Sequence, residues 1–296
     1  MRQFEILDFL TSSEDTQLYN WLVSKNVLKE VVNCRHCGIL MTLKKKDKSY
    51  LQKTWRCMNF NCIHYESTSS ILKDSFLSEV KIEPRVFLKS IFYILNNTQL
   101  VDIKRFLNIS YKSLKNIKKL ITNKIKEFFG CNPIRLGGDG IIVHVDETML
   151  SHAVKSHRGR VARNQSWALT IVDTSEKPGL GYCQIVDKRD SSTLIPIISR
   201  IVRPGSIIHT DEWKAYIKLN QSNFDHKTIR HKFNFVDPIT GIHTQNVESF
   251  NNKLKLFIKN QRGCKADSRN DLCNLFLFLD HYKNKAFLKF LELIIV

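Results

Sequence analysis

Three acidic residues lie at the ends of apolar or amphipathic segments, in positions suited to binding divalent metal ions. Asp146 and Asp211 each end an apolar run, and Glu248 lies at the start of an amphipathic segment. Mg²⁺ prefers a few carboxylate oxygens together with phosphate oxygens of a substrate. Two such ions, about 3.5–4 Å apart, activate a water and stabilise a leaving oxygen during in-line displacement at phosphorus. The three carboxylates therefore predict a two-metal site for phosphodiester chemistry.

Two strands and a helix are expected to position these acids. The β-branched run Ile141–Val145 indicates a buried strand, and the run Ser206–Thr210 indicates another. In the helix after Thr244, spacings of three and four define a packing face, which consists of Val247, Phe250, Leu254, Phe257 and Ile258. Glu248 and Lys255 share the other face. We therefore expect the Glu248 carboxylate to point into a cleft, with Lys255 behind it to bind phosphate or DNA.

Strand and helix signals alternate from residue 141 onward. Three successive strands followed by helix, strand and helix predict a mixed α/β sheet. The predicted strands are residues 141–145, 167–173, 181–187, 206–210 and 227–235, and the helices are 192–202 and 213–219.

Four neighbours of the acids receive other interpretations. His144 and His209 each lie two residues before an aspartate, and therefore on the same side of a strand. We interpret both as buried core histidines, with a supporting role beside the metals as the alternative. Glu147 and Glu212 directly follow the aspartates, so we expect them to point to the opposite face and not to bind metal.

Two cysteine pairs predict a zinc ribbon over residues 31–70. Two pairs separated by a hairpin supply four thiolates to a tetrahedral Zn²⁺ site, and the ligands are Cys34, Cys37, Cys57 and Cys62. His36 and His64 are alternative ligands. A segment this short buries little core, so metal binding would supply its folding energy. Its lysines suit contact with a phosphate backbone.

Residues 80–130 predict a helix-turn-helix, preceded by a helical segment at residues 1–30. A short helix, Leu100–Leu107, precedes a turn through Asn108 and a second helix capped by Ser110. The residues predicted to face a DNA groove are Lys112, Lys115, Asn116 and Lys119. The alternative is a three-helix packing domain without a DNA contact. The turn-rich segment 130–140 is the predicted domain boundary.

The charge balance favours a polyanionic partner. The chain carries 46 Lys and Arg against 28 Asp and Glu, a net charge of +18. Nucleic acid is the first candidate and an anionic membrane the second, and charged faces that are merely solvated are the alternative. No segment reaches the about 20 apolar residues of a membrane span, and the N-terminus does not resemble a signal peptide. We expect a soluble intracellular protein with no membrane partner, whose cysteines are thiols or metal ligands.

Several motifs together resemble those of a known enzyme family. They are His144-Val-Asp146-Glu-Thr, Arg158-Gly-Arg160, Asp211-Glu-Trp-Lys-Ala-Tyr216, His231-Lys-Phe and His243-Thr-Gln-Asn-Val-Glu248-Ser. The chain resembles DDE transposases of the Merlin type and their bacterial insertion-sequence relatives. The resemblance implies an RNase H-like catalytic domain over residues 141–296, preceded by the zinc ribbon and the helix-turn-helix. One departure is Asn251, where relatives tend to carry Trp.

The resemblance also implies an activity and a set of partners. Asp146, Asp211 and Glu248 would be the catalytic residues and would bind two Mg²⁺ or Mn²⁺, while the ribbon would bind one structural Zn²⁺. The activity would be cut-and-paste transposition of double-stranded DNA by a homodimer or higher multimer. The compartment would be the nucleus in a eukaryotic host and the cytoplasm otherwise. The basic loop Arg158, Arg160 and Arg163 is expected to contact DNA.

Two other functions fit the same motifs. The chain could be a catalytically silent, transposon-derived regulator that binds DNA through the ribbon and the helix-turn-helix. A decayed catalytic core would be expected to lose its acids, and all three are present. It could also be a structure-selective nuclease on the same fold, which would hydrolyse DNA without strand transfer.

Overall fold

A computed structural model describes residues 3–150, 166–221, 224–229, 241–261 and 268–296. The chain divides into two compact units, one of Met1–Ile125 with Tyr282–Val296 and one of Lys126–His281. The division therefore falls inside a helix and not at the turn-rich segment 130–140. The functional assignment of residues 1–30, 31–70, 80–130 and 141–296 to four domains stays a prediction.

The first unit contains six helices among its described residues. They are α1 (Gln3–Ser12), α2 (Asp15–Ser24), α3 (Pro84–Leu95), α4 (Leu100–Leu107), the first part of α5 (Tyr111–Cys131) and α9 (Ala286–Leu293). The Glu83 carboxylate caps α3 by accepting hydrogen bonds from the first-turn amides, and Pro84 occupies the first turn. The buried face of α3 packs against α9, where the rings of Phe92 and Phe287 meet edge to face at 5.5 Å.

The predicted ribbon hairpin is a three-stranded antiparallel sheet. Its strands are β1 (Thr42–Lys45), β2 (Lys53–Arg56) and β3 (Thr68–Ser70), in the order β1-β2-β3. Trp55 of the central strand is buried. The third strand was not predicted from the sequence.

Helices α4 and α5 are joined by a short turn, as the sequence predicts. Asn108 ends α4 in the left-handed conformation, with φ 47° and ψ 43°. The Ser110 hydroxyl then accepts a hydrogen bond from the Ser113 amide at the start of α5. Ile103, Leu114 and Ile117 are fully buried. A DNA-binding role for this helix pair stays a prediction.

The second unit is built on a five-stranded mixed sheet, so the predicted mixed α/β architecture is confirmed. Its strands are β4 (Ile142–Met149), β5 (Trp167–Asp173), β6 (Leu180–Val186), β7 (Ile207–Asp211) and β8 (Asp225–Ile229), in the order β6-β5-β4-β7-β8. Strands β4, β5 and β6 are antiparallel neighbours. Strands β4, β7 and β8 are parallel neighbours. The last strand begins two residues earlier than predicted.

Helices cover the sheet and complete its core. On one face, α6 (Ser191–Ile201) packs with a 3₁₀ segment (Lys214–Gln221), which replaces the predicted α-helix after Trp213. Helix α7 (Gln245–Asn260) packs against β4 and β5, and Phe250 of α7 contacts Phe276 of α8 (Arg269–Tyr282) at 5.2 Å. The absence of a side chain at Gly181 lets the Phe250 ring approach β6, because a Cβ there would overlap the ring.

The end of α5 belongs to the second unit through aromatic contacts. The rings of Phe128 and Phe129 lie 6.3 and 6.5 Å from the ring of Phe278. This explains why the units divide at Ile125 and not after the helix. Within the described segments, no helix is long and apolar enough to cross a membrane.

Candidate active site and metal-binding cluster

The pairing of β4 with β7 brings Asp146 and Asp211 to the same level of the sheet. The two parallel strands pair Ile142 with Ile207 and His144 with His209. Continuing this register by two residues sets Asp146 beside Asp211. The two histidine rings stack with centroids 5.3 Å apart, so the aspartates that follow at i+2 share their side of the sheet. Both aspartates are half-buried.

Backbone amides orient both carboxylates. Asp146 Oδ1 accepts a hydrogen bond from the Glu147 amide at 2.8 Å. Asp211 Oδ1 accepts one from the Trp213 amide at 3.0 Å. Each contact uses one oxygen of its carboxylate.

Asn251 connects the helix of Glu248 to the strand of Asp146. Its Nδ2 donates to Asp146 Oδ2 at 2.8 Å, and its Oδ1 accepts a hydrogen bond from the Thr170 hydroxyl at 2.8 Å. The same hydroxyl lies 3.0 Å from the Asp146 carbonyl oxygen. The Asn251 side chain is only 4% exposed. The residue that departs from the family pattern is therefore a buried link between α7, β4 and β5.

Glu248 lies in the first turn of α7, and its side chain is half-buried. Four residues of the predicted packing face, Val247, Phe250, Leu254 and Phe257, are buried, so the predicted orientation of the helix agrees with the structure. Glu248 lies three residues before Asn251, on the same side of the helix. The Thr244 hydroxyl lies 3.5 Å from Glu248 Oε1.

The three carboxylates do not converge as closely as metal ligands do. Among the described residues, the four ribbon cysteines are the one group of three or more Cys, His, Asp or Glu whose ligand atoms all lie within 4.8 Å of one another. Asp146, Asp211 and Glu248 are not such a group.

Three histidines form a cluster below the aspartates. His144 and His209 are 1% and 5% exposed, which agrees with their interpretation as core residues. The His243 ring meets the His144 ring edge to face, with centroids 4.9 Å apart. Burial, and to a smaller extent the neighbouring His209 and His243, lower the pKa of His144 to about 3, so the ring is neutral. His243, in the motif before Glu248, was not assigned from the sequence.

Glu147 lies among different neighbours from Asp146. It accepts a hydrogen bond from the buried Tyr216 hydroxyl, and burial raises the pKa of Glu147 to about 7. Tyr216 belongs to the core that contains α6, as expected if Glu147 points to the opposite face. The Arg189 guanidinium stacks on the Trp167 ring at 3.7 Å. Neither Tyr216 nor Arg189 was assigned from the sequence, because their contacts depend on the sheet pairing.

The ribbon cysteines form a compact group of four thiols that fits a zinc ion. The sulfurs of Cys37 and Cys57 lie 3.9 Å apart. Four sulfurs placed about 2.3 Å from a central Zn²⁺ stand about 3.8 Å from one another. Backbone amides of Cys37 and His36 lower the pKa of Cys34 to about 6, which favours a thiolate ligand.

The histidines predicted as alternative ligands stack on each other. The rings of His36 and His64 have centroids 3.6 Å apart, and both side chains are exposed. The group of four ligand atoms contains the thiols and neither imidazole. The cysteines alone therefore supply a complete tetrahedral set.

A family match identifies part of the chain. Residues 135–263 match the model of the ISXO2-like transposase domain family. The resemblance to DDE transposases is confirmed. The matched transposase segment contains all three predicted catalytic acids, as well as the sheet that positions the two aspartates.

Other proteins similar to this chain have lower identity or match a shorter stretch. An uncharacterized transposase-like protein of Haemophilus influenzae is 39% identical over 56 residues, which are 19% of this chain and 46% of that protein. The chain thus matches less than half of that relative's length. A simian T-cell lymphotropic virus intasome, in complex with the PP2A regulatory subunit B56 gamma, shares 16% identity and a TM-score of 0.33 over 64% of this chain and 67% of that one. A pre-cleavage Mos1 transpososome shares 8% identity and a TM-score of 0.25 over 69% and 76%. These TM-scores are low, so the assignment rests on the family match.

The residues predicted to contact DNA are exposed wherever the structure describes them. They are Lys112, Lys115, Asn116 and Lys119 on α5 and Lys255 on α7. The Lys115 ammonium lies 4.8 Å from the centre of the Tyr111 ring. Arg158, Arg160 and Arg163 lie outside the described residues, as do His231 and its neighbours. The roles of all these residues stay predictions.

Proposed function

We propose that this chain is a DNA transposase that cleaves phosphodiester bonds at the ends of its element and joins the freed 3′-hydroxyls to target DNA. The observation that carries the proposal is the position of Asp146 and Asp211 at one level of neighbouring parallel strands, inside the segment that matches a transposase domain. The strand order and directions support an RNase H-like fold, which is the finer fold assignment that we propose.

Asp146, Asp211 and Glu248 are the residues that would hold two Mg²⁺ or Mn²⁺ ions. Carboxylate oxygens are the ligands that these ions prefer, and the acids come from two rigid strands and the first turn of a helix. When bound, such ions activate the attacking oxygen and stabilise the leaving oxygen. Asn251 and the Glu147 amide fix the orientation of the Asp146 carboxylate. Lys255, two turns after Glu248, would contact a phosphate of the bound DNA.

The first unit would bring DNA to this site. The four thiols would hold one structural Zn²⁺, and helix α5 would present Lys112, Lys115, Asn116 and Lys119 to a groove of the duplex. The net charge of +18 supports a polyanionic partner. We propose a homodimer or higher multimer on DNA, acting in the nucleus of a eukaryotic host and in the cytoplasm otherwise.

A cleavage and joining assay tests the proposal. Supercoiled plasmid carrying the DNA that flanks the element is incubated with protein and Mg²⁺ or Mn²⁺, and cut and joined strands are quantified. We expect metal-dependent products from wild type, and at least a hundredfold less from Asp146→Asn and Glu248→Gln.

Glu212→Gln is the matched control, since it neutralises an exposed acid next to Asp211 that we do not place in the site. It should retain cleavage. Tight end binding without any cut strand would favour the silent regulator, and cleavage without joining would favour the nuclease.

A further inference from the structure

A cleft of about 260 Å³ in the zinc ribbon is lined by residues of β3, by residues 33–35 and by Met41, which directly precedes β1. One wall consists of consecutive hydroxyl residues along β3, Ser67, Thr68, Ser69 and Ser70. Arg35 and Lys73 supply two cations to the lining, and no acidic residue lines the cleft. The lining thus combines two cations with hydroxyl side chains, and it also includes Asn33, Cys34 and Met41. The Ser70 hydroxyl already accepts a hydrogen bond from the Leu72 amide.

The acids that flank the cleft in sequence are each paired with another cation. Glu66, next to the hydroxyl run, forms an ion pair with Arg56 at 2.7 Å. Asp74, next to Lys73, forms one with Lys29 at 2.9 Å. The Lys73 charge also lowers the pKa of Asp74, and Arg35 Nε donates a hydrogen bond to His36 Nε2 at 2.9 Å. Arg35 and Lys73 are still the two cations of a lining that contains no acidic residue.

Two rigid parts of the ribbon build the cleft. Strand β3 is held by its pairing with β2, from Thr54 opposite Ser70 to Arg56 opposite Thr68. Arg35 directly follows Cys34, which belongs to the thiol group and itself lines the cleft. The walls are therefore set by backbone structure and by the cysteine cluster.

We propose that this cleft binds a phosphate group of the DNA backbone. Arg, Lys and Ser or Thr side chains are the usual partners of backbone phosphates. Liquid water occupies about 30 Å³ per molecule, so the cleft has room for a phosphate and several bridging waters. The inference rests on the proposed function, because it takes the DNA as the ligand. It adds Arg35 and Lys73 to the residues proposed to contact DNA.

The test measures the salt dependence of DNA binding by the full-length, zinc-loaded protein. Fluorescence anisotropy of a labelled duplex gives the dissociation constant from 50 to 300 mM KCl for wild type and Arg35→Gln/Lys73→Gln. Each backbone phosphate contact contributes about 0.9 to the slope of log affinity against log salt. We expect the double variant to lower the slope by about 0.9, equally on specific and unrelated duplexes.

A charge-matched control separates the cleft from general electrostatics. Lys25→Gln/Lys81→Gln removes two exposed lysines of the same unit that lie outside the cleft, and it should change the slope by less than half as much. Zinc content and circular dichroism establish that each variant is folded. If the cleft double variant does not fold, Lys73→Gln alone serves, since Lys73 is exposed.

Each outcome has a distinct meaning. An unchanged slope in a folded cleft variant, with steep salt dependence in wild type, overturns the cleft assignment and leaves the transposase proposal intact. No DNA binding by wild type at any salt overturns both. Calorimetric binding of inorganic phosphate that depends on Arg35 and Lys73, together with an unchanged DNA slope, would show that the cleft takes a free phosphate and would overturn the DNA assignment.

Discussion

Replacing Asn251 by Ala is expected to destabilise the second unit, because the buried amide holds Asp146 and α7 together. The substitution removes a hydrogen bond to a carboxylate, worth about 1.5–3 kcal/mol, and one to the Thr170 hydroxyl, worth about 0.5–1.5 kcal/mol. The higher helix propensity of Ala returns up to about 0.7 kcal/mol. The Thr170 hydroxyl keeps the Asp146 carbonyl as an acceptor. We therefore expect a net loss of about 1.3–4.5 kcal/mol in the free energy of unfolding.

Asn252→Ala is the matched control. It is the same substitution one position along α7, where the side chain is exposed, so it should change stability only by the small helix-propensity gain. Urea unfolding followed by circular dichroism measures both variants. The Mg²⁺ concentration for half-maximal cleavage should also rise in Asn251→Ala and not in Asn252→Ala. A loss below about 1 kcal/mol, or equal effects of the two substitutions, would refute the role given to Asn251.

Three further predictions concern other parts of the chain. Cys57→Ser should abolish stoichiometric zinc binding and make the ribbon sensitive to proteolysis. Metal analysis and limited digestion measure the two effects. Zinc retained by the variant would contradict the four-thiol site. Tyr216→Phe should lower the free energy of unfolding by about 1–3 kcal/mol at pH 8, where Glu147 is ionised, and by less at pH 5. Urea unfolding at both pH values measures the two losses. Equal losses would argue against the hydrogen bond between Tyr216 and Glu147. Burial lowers the pKa of His281, so the unfolded chain binds more protons and stability should fall as the pH drops below about 6.5. His281→Phe should reduce the change in the free energy of unfolding between pH 7 and 5, as measured by urea unfolding. An unaltered pH dependence would contradict the role given to His281.

Much of the second unit could be predicted because its buried apolar residues form continuous runs in strands and recur every three or four positions in helices. The apolar runs before Asp146 and Asp211 identify strands, and spacings of three and four orient α7. The mixed sheet follows from the order of these signals. A sequence does not state which strands pair or in what register, so the alignment of Asp146 with Asp211 depended on the structure.

The supporting contacts were missed for the same reason. Asn251 reaches Asp146 across 105 positions of the chain, and Tyr216 reaches Glu147 across 69. Neither residue has a local pattern that distinguishes it from an ordinary helix amide or an aromatic core residue. The division between the units was also missed, because the aromatic contacts of Phe128 and Phe129 hold the end of α5 in the second unit.

In the sequence, the residues of the first unit lie before and after those of the second unit. The ribosome therefore completes the first unit last. Helix α9 supplies Phe287 and Phe290, whose rings contact those of Phe92 and Phe76. The ribosome makes all of Lys126–His281 before α9, which takes on the order of 10–30 s at 5–20 residues per second. During that interval Phe76 and Phe92 lack their partners on α9, so the core of the first unit is completed only at the end of synthesis.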